Sequence, residues 1–340
     1  MLNERKIMVL HAIVDDYIRS AEPVGSRTIA RRYNLGVSPA TIRNEMADLE
    51  EIGYIIQPHI SAGRIPSDKG YRFYVDVLME PWVIPEQQRS DIQRRMETHK
   101  HEIELLVQEV SKLLSVLTNY VAVVLAPQID LCMLERVQLM ALDDYRVLVI
   151  LVLHPGLVQN RIIRMPVKYD PEALPKISRQ LTKRLQGVTY RDLRATLIKE
   201  IQGDYGELGS ALLEVIASEL ADTKQEKVFL SGAISIFEQP EFRDLERAKG
   251  LLSLLEQKET VSNLINTLSR YSGVQVTIGR ENPIEEIHEC SVVTSTYSIG
   301  GEVIGAIGVI GPTRMEYANT YSVVEMLADS ISEILSELIK

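Results

Sequence analysis

The stretch "VSPATIRNEMADLEEIGYI", residues 37–55, decides the fold of the N-terminal part of the chain. Its bulky apolar residues recur at intervals of three and four, which predicts a helix with one buried side: Ile42, Met46 and Leu49. Ser38 is suited to cap this helix, and Pro39 to occupy its first position, where a missing N–H costs nothing. Gly53 is typical of the residue that ends a helix.

The opposite side of this predicted helix carries small or polar residues: Ala40, Arg43, Asn44 and Ala47. Small side chains let a helix lie deep in a groove of a nucleic-acid duplex. The guanidinium of Arg43 can bind guanine or phosphate, and the amide of Asn44 can make a paired contact with adenine. Ser38 and Thr41, near the positive end of the helix, can bind phosphate oxygens.

The flanking sequence predicts helices over residues 3–20 and 26–33, short strands over 54–57 and 64–66, and a helix from 67 to about 79. Three short helices followed by a hairpin are typical of a winged helix-turn-helix. Basic residues that could flank a duplex gather around it: Arg27, Arg31, Arg64, Lys69 and Arg72. A solvated face on a protein-binding unit is the alternative, but this clustering favours DNA.

Composition and charge agree with this interpretation. The chain has 340 residues, 45% of them hydrophobic and 25% charged, so we expect two or three globular domains. The net charge of −10 looks unfavourable for a DNA-binding protein. Residues 1–76, however, contain ten basic and ten acidic residues, so the rest of the chain carries the whole excess of negative charge. The acidic remainder would confine DNA to the N-terminal part.

Other classes of protein find little support in the sequence. No apolar run is long enough to span a membrane, and the N-terminus does not resemble a targeting peptide. Two distant cysteines, Cys132 and Cys290, exclude a disulfide framework and suit the cytoplasm. There is no phosphate-binding or zinc-protease motif and no acid–base–nucleophile set, so we expect no metal, no cofactor and no enzymatic activity.

The region after the hairpin predicts one long helix from Pro85 to about Tyr120. Its apolar residues form a heptad-like seam that includes Ile92, Met96, Ile103, Leu106 and Val110. Such a seam is compatible with a contact between subunits and equally with an ordinary helix lying on a sheet.

Strands predicted near residues 120–166 and 274–310 bracket a mostly helical block, and another helix ends the chain. The weak alternation of residues 146–153 predicts a strand covered on both faces. The simplest topology is one α/β domain that contains an insertion, with its first and last helices packed together.

Three stretches carry a resemblance to a known family: residues 25–76, "VTIGREN" (276–282) and "GGEVIGAIGVIGPTRMEY" (300–317). They resemble HrcA, the bacterial heat-inducible transcription repressors, and the resemblance spans the whole chain. It implies an α+β multidomain fold with a winged helix-turn-helix domain (1–80), a GAF-like α/β domain in two parts (85–167 and 273–340) and an inserted, mostly helical dimerisation domain (168–272).

The resemblance also implies a function. Such a repressor binds the CIRCE inverted-repeat operator of chaperone operons as a homodimer, depends on the GroEL chaperonin, and is relieved on heat shock. The GAF-like domain leaves an alternative open, a metabolite-responsive transcriptional regulator that senses a small effector.

Overall fold

The computed structural model describes residues 2–60, 62–100, 102–127, 132–154, 157–165, 168–200, 206–219 and 227–337. Residues at the centre of the predicted wing loop (61) and at one predicted domain boundary (166–167) lie outside the described residues. Within the described ranges, no helix combines the length and the apolar character needed to cross a membrane.

The N-terminal part forms the predicted winged helix-turn-helix, called the winged unit below. Its elements are α1 (Glu4–Ser20), α2 (Ser26–Arg32), α3 (Pro39–Glu51), β1 (Ile55–Ile56), β2 (Ile65–Pro66) and α4 (Asp68–Phe73). The strands pair antiparallel, and Val24 extends the hairpin by exchanging backbone hydrogen bonds of 2.8 and 2.9 Å with Arg64. The core of the unit is fully buried, because apolar side chains of the helices converge there: Val9, Leu10, Ile13, Ile29, Ile42 and Leu49.

A short connection joins the winged unit to the rest of the chain. Helix α4 continues as a π-helical turn over Tyr74–Leu78, and the next helix begins at Glu86. Midway along this connection the backbone N–H of Trp82 donates a hydrogen bond of 3.4 Å to the carbonyl of Ala318. The connection is therefore held against the C-terminal part of the chain.

The prediction of one long helix over residues 85–120 is wrong. The structure has two helices, α5 (Glu86–Glu97) and α6 (Ile103–Thr118). In a continuous helix, Arg95 and Glu109 would be about 21 Å apart. Their side chains instead form an ion pair of 2.6 Å, since α5 folds back along α6. The heptad spacing continues through the turn, so apolar periodicity alone did not reveal the break.

A five-stranded antiparallel sheet forms the centre of the C-terminal part, in the order β7-β3-β10-β9-β8. The strands are β3 (Val121–Leu125), β7 (Val228–Ser231), β8 (Gln275–Ile278), β9 (Cys290–Ile299) and β10 (Glu302–Pro312). One face is covered by α6 and α12 (Tyr317–Glu337), the other by α10 (Leu245–Glu256) and α11 (Lys258–Leu268). The seam of α6 is thus a contact with a sheet of its own chain, and the first and last helices pack together as predicted.

The strands near 133–164 do not join this sheet, so the interpretation that all strands of residues 120–166 belong with those of 274–310 is wrong. β4 (Met133–Ala141), β5 (Arg146–His154) and β6 (Leu157–Arg164) form a separate sheet. The reason is that β3 already pairs with β10 on one edge and β7 on the other. No edge of β3 remains for β4.

Helices α7 (Leu174–Leu185), α8 (Tyr190–Glu200) and α9 (Gly206–Glu219) accompany this second sheet. The hydroxyls of Ser178 and Thr182 on α7 each accept a hydrogen bond of 3.0 Å from the backbone of β4, at Leu139 and Val137. Alternate residues of β5 are buried on this side, whereas those on its other face are only half-buried. The prediction of a strand covered on both faces therefore holds within the chain for one face only.

Candidate nucleic-acid interface

The outer side of α3 is open to solvent. Its predicted contact residues Ala40, Arg43, Asn44 and Ala47 are all exposed, as is Ser38, while Thr41 is half-buried. The inner side is anchored by Ile42, Met46 and Leu49, which are at most 5% exposed. The helix is thus fixed by one side and free on the other, which is the arrangement that entry into a major groove requires.

The start of α3 is capped as predicted. The hydroxyl of Ser38 accepts a hydrogen bond of 3.1 Å from the backbone N–H of Thr41, and the two hydroxyls lie 3.0 Å apart. Pro39 occupies the first helical position. The cap places two hydroxyl groups beside the positive end of the helix dipole, where a phosphate oxygen would be stabilised.

The acidic residues of α3 are largely neutralised by neighbouring cations. The buried Glu45 contacts Lys6 at 3.0 Å and Arg5 at 3.4 Å, and Asp48 contacts Lys6 at 2.9 Å. The hydrogen bonds that Lys6 donates to Asp48 and then to Glu45 raise the pKa of Lys6, so its positive charge persists. These carboxylates therefore oppose an approaching phosphate less than the sequence suggests.

Helix α2 adds two further exposed arginines, Arg27 and Arg31. Within the described part of the chain, neither they nor Arg43 forms an ion pair. Arg32, in contrast, pairs with the buried carboxylate of Asp16, and this hydrogen bond raises the pKa of Arg32. The structure thus leaves Arg27, Arg31 and Arg43 available to an external anion.

The remaining predicted contacts have partners inside the chain. The guanidinium of Arg64 binds Glu50 at 2.7 Å. Lys69 donates a hydrogen bond of 2.8 Å to the carbonyl of Ile52 and lies 4.4 Å from the centre of the Tyr54 ring, yet remains exposed.

Unlike Arg64 and Lys69, whose partners lie within the winged unit, Arg72 binds Glu281 of the C-terminal part. The guanidinium of Arg72 is therefore engaged within the chain, whereas those of Arg27, Arg31 and Arg43 are available to an external anion.

Two features of this interface could not be predicted from the sequence. Lys6 and Arg5, which neutralise α3, lie on a different helix, and no local pattern connects them to it. The side chain of Gln57 orders the wing by donating hydrogen bonds to the carbonyls of Ile60 (2.9 Å) and Ala62 (3.1 Å). In the described ranges, no group of three or more His, Cys, Asp or Glu side chains could hold a metal ion.

The fold and the open face of α3 together define a winged helix-turn-helix transcription regulator. Comparison with known proteins gives the family. Residues 104–321 match the family model described as HrcA protein C terminal domain.

The chain is 46% identical to the heat-inducible transcription repressor HrcA of Pelotomaculum thermopropionicum, covering 100% of this chain and 98% of that one. It is also 46% identical to the HrcA of Carboxydothermus hydrogenoformans, with 98% of both chains covered. This protein therefore belongs to the HrcA family.

A solved structure supports the fold over the whole length. A crystal structure described only as that of a hypothetical protein, at 2.2 Å resolution, is similar with a TM-score of 0.68 at 26% identity. The similarity covers 99% of this chain and 100% of that chain.

Proposed function

We propose that this cytoplasmic protein represses class I heat-shock (chaperone) operons by binding the CIRCE inverted-repeat operator as a homodimer, and that heat shock relieves the repression. The observation that carries the proposal is the open face of α3, with Arg43 and Asn44 exposed on a helix whose opposite side is buried. The full-length relatives, which are named heat-inducible transcription repressors, supply the class of gene.

In this proposal α3 enters the major groove of each half-site. Ala40 and Ala47 leave room for the backbone of the helix to approach the bases. Arg43 donates two hydrogen bonds to guanine and Asn44 pairs with the edge of adenine. Ser38 and Thr41 bind a phosphate at the start of the helix.

Phosphates that flank the groove are bound by Arg27 and Arg31 of α2. Arg64 at the wing and Lys69 on α4 already have partners within the chain. Lys69 remains exposed, so it could also reach a phosphate.

A two-fold operator requires two copies of the chain. We place their contact on the inserted unit, which we define as β4–β6 with α7–α9, a division that differs from the predicted limits 168–272. The face of this sheet that α7 does not cover carries apolar side chains in register: Met140 opposite Leu148 and Leu148 opposite Ile162. Ile162 is 60% exposed, and an apolar sheet face of this kind is suited to a second copy.

Relief by heat requires only that the repressor have low stability. A free energy of unfolding of a few kcal/mol, at the low end of the usual range, would suffice. The proposal assigns the GroEL chaperonin the role of restoring folded repressor. When heat diverts the chaperonin to other proteins, the folded dimer is depleted and the operons are transcribed.

The experiment that tests the proposal is a gel-shift titration of the purified chain against a chaperone-operon inverted repeat, with a scrambled duplex of equal composition as control. We expect retention of the inverted repeat at concentrations that leave the scrambled duplex free. Equal binding of both duplexes would contradict specific operator recognition. A parallel series with GroEL and with candidate small effectors separates chaperonin control from effector sensing.

A further inference from the structure

Two C-terminal stretches that carry the family resemblance, "VTIGREN" and the "GPTRM" segment, lie far along the chain from the α3 face. In the structure both receive side chains or backbone groups of the winged unit. We call these contacts the docking seam, defined by the turn Gly279–Glu281 and by Arg314 on one side, and by α4 and the end of α1 on the other.

The first part of the docking seam is an exchange between α4 and the turn Gly279–Glu281. The guanidinium of Arg72 donates from Nε to Oε1 of Glu281 at 2.9 Å and from Nη2 to Oε2 of the same carboxylate. It also donates a hydrogen bond of 2.6 Å to the carbonyl of Val276. One helical turn earlier, the carboxylate of Asp68 accepts a hydrogen bond of 3.1 Å from the backbone N–H of Arg280.

The turn is shaped to receive Asp68. Gly279 has a φ of +56°, a conformation that other residues rarely adopt. A Cβ atom at this position would lie 2.3 Å from Oδ2 of Asp68. The carboxylate therefore occupies the space that a side chain would fill, and only glycine permits this approach.

The second part of the docking seam is Arg314, whose side chain is only 12% exposed. Its guanidinium donates a hydrogen bond of 3.2 Å to the carbonyl of Ile18 near the end of α1. It is held by the carboxylate of Glu241 and, at 3.1 Å, by the side-chain oxygen of Gln239. One cation thus joins the winged unit to two groups of the C-terminal part.

Arg72 has little capacity left for DNA. Its Nε and both Nη atoms already donate, to Glu281, Asp76 and Val276. A bidentate phosphate contact needs two free parallel donors on one edge of the guanidinium. The hydrogen bond with Glu281 is also the main reason why the pKa of Arg72 is raised.

We propose that the docking seam fixes the direction of the winged unit relative to the C-terminal part and so sets the distance between the two recognition helices of the dimer. Arg72 and Asp68 are then positioning residues for operator binding. The inference rests on the proposed function, because in it the docking seam determines which half-site spacing of the operator the dimer binds.

The test compares wild type, Glu281→Arg and the double exchange Arg72→Glu with Glu281→Arg. Each is titrated with a single half-site duplex, with the full inverted repeat, and with repeats whose half-site separation is changed by single base pairs. We expect Glu281→Arg to bind the single half-site as wild type does. It should bind the full repeat about tenfold more weakly and lose its preference for one spacing. The exchange re-forms the ion pair between positions 72 and 281 and should restore both in large part, although position 72 no longer donates to Asp76 and Val276.

If Arg72 binds phosphate instead, releasing it from Glu281 leaves binding of the full repeat unchanged or stronger. The exchange then weakens binding of both duplexes, because a carboxylate at position 72 repels DNA. That result overturns the inference.

A measurement without DNA separates this failure from failure of the proposed function. Spin labels at Glu51→Cys and Glu302→Cys, both exposed positions, report the distance between the winged unit and the central sheet when labelled chain is mixed with an excess of unlabelled chain, so that each dimer carries one labelled copy. We expect one narrow distribution in wild type, a broad one in Glu281→Arg and a narrow one in the exchange. An unchanged distribution in Glu281→Arg overturns the inference even if no operator is bound.

Discussion

Arg43 is the residue on which base recognition is expected to depend most, because it is the exposed cation at the centre of the α3 face. Replacing it by alanine should weaken operator binding by about 1–3 kcal/mol and relax the base preference at one position of each half-site. Fluorescence anisotropy against half-sites substituted one base pair at a time measures both effects. Arg94→Ala, which removes an exposed arginine paired with Asp91 on α5, is the matched control.

Equal weakening on every sequence would show that Arg43 contacts phosphate and does not read a base. Unchanged binding would remove it from the interface.

Tyr71 presents a different situation, a buried hydroxyl without a hydrogen-bond partner among the described residues. Its side chain is 2% exposed, and its ring lies 5.8 Å from that of Tyr317. Because an unsatisfied buried hydroxyl is costly, Tyr71→Phe should leave the free energy of unfolding unchanged or raise it by about 1 kcal/mol. Urea unfolding monitored by circular dichroism measures the change.

Tyr317→Phe is the control for this prediction. The hydroxyl of Tyr317 has hydrogen bonds of 2.6 Å with Ser291 and with the carbonyl of Thr313, so its removal should lower the free energy of unfolding by about 1–2 kcal/mol. A loss of stability in Tyr71→Phe as large as in Tyr317→Phe would show that the hydroxyl of Tyr71 does have a hydrogen-bond partner.

At the residue scale, the sequence indicates which side of a helix a side chain occupies but not which partner it contacts. The exposure of Ala40, Arg43, Asn44 and Ala47 follows from helical periodicity, which is a local property. The partner of Arg72 is 209 positions away, and nothing in the sequence near either residue indicates that they meet.

At the scale of elements, the N-terminal cap of α3 is expected to serve both folding and binding. Ser38→Ala should lower the free energy of unfolding by about 1 kcal/mol, because the N–H of Thr41 loses its acceptor. Ser38→Asp retains a capping oxygen and should keep that stability. It adds a negative charge where phosphate is expected, so its operator affinity should fall.

Thermal unfolding of the free protein and anisotropy with the operator measure the two effects separately. Ser38→Asp with wild-type affinity for the operator would show that no phosphate lies at this helix end.

The elements themselves could be predicted well where the pattern is local, as in α1, α3 and α12. The division of residues 85–120 into α5 and α6 could not, since the apolar residues keep one phase across the turn. What decides the break is a tertiary contact, the antiparallel packing that brings Arg95 to Glu109. Periodicity describes which side of a helix is buried, but not whether the helix continues.

At the scale of the whole molecule, the inserted unit is expected to hold the dimer together. Ile162→Asp places a charge on the open face of its sheet, so the mass in solution should change from that of a dimer to that of a monomer. Size-exclusion chromatography with light scattering measures this. Leu245→Asp, at a position on α10 that is 75% exposed, should leave the mass unchanged.

A dimer that survives Ile162→Asp would place the contact elsewhere on the chain. Monomerisation by both variants would indicate a general effect of added charge.

Sheet organisation was the least predictable level. Strands were found in the sequence, but their pairing was not, because the alternation within a strand shows which face is buried and does not identify the neighbouring strand. The structure divides them between two sheets, and the decisive fact is that both edges of β3 are occupied by strands distant in sequence.

The connection between Leu78 and Glu86 has a consequence for any opening of the winged unit. Fully extended, it reaches about 25 Å, and its centre at Trp82 is tied to Ala318. A released winged unit would therefore remain tethered close to the C-terminal part, at an effective local concentration of about millimolar. Its return to the docked position would be a first-order process. The rate constant of that process would not depend on the concentration of the protein.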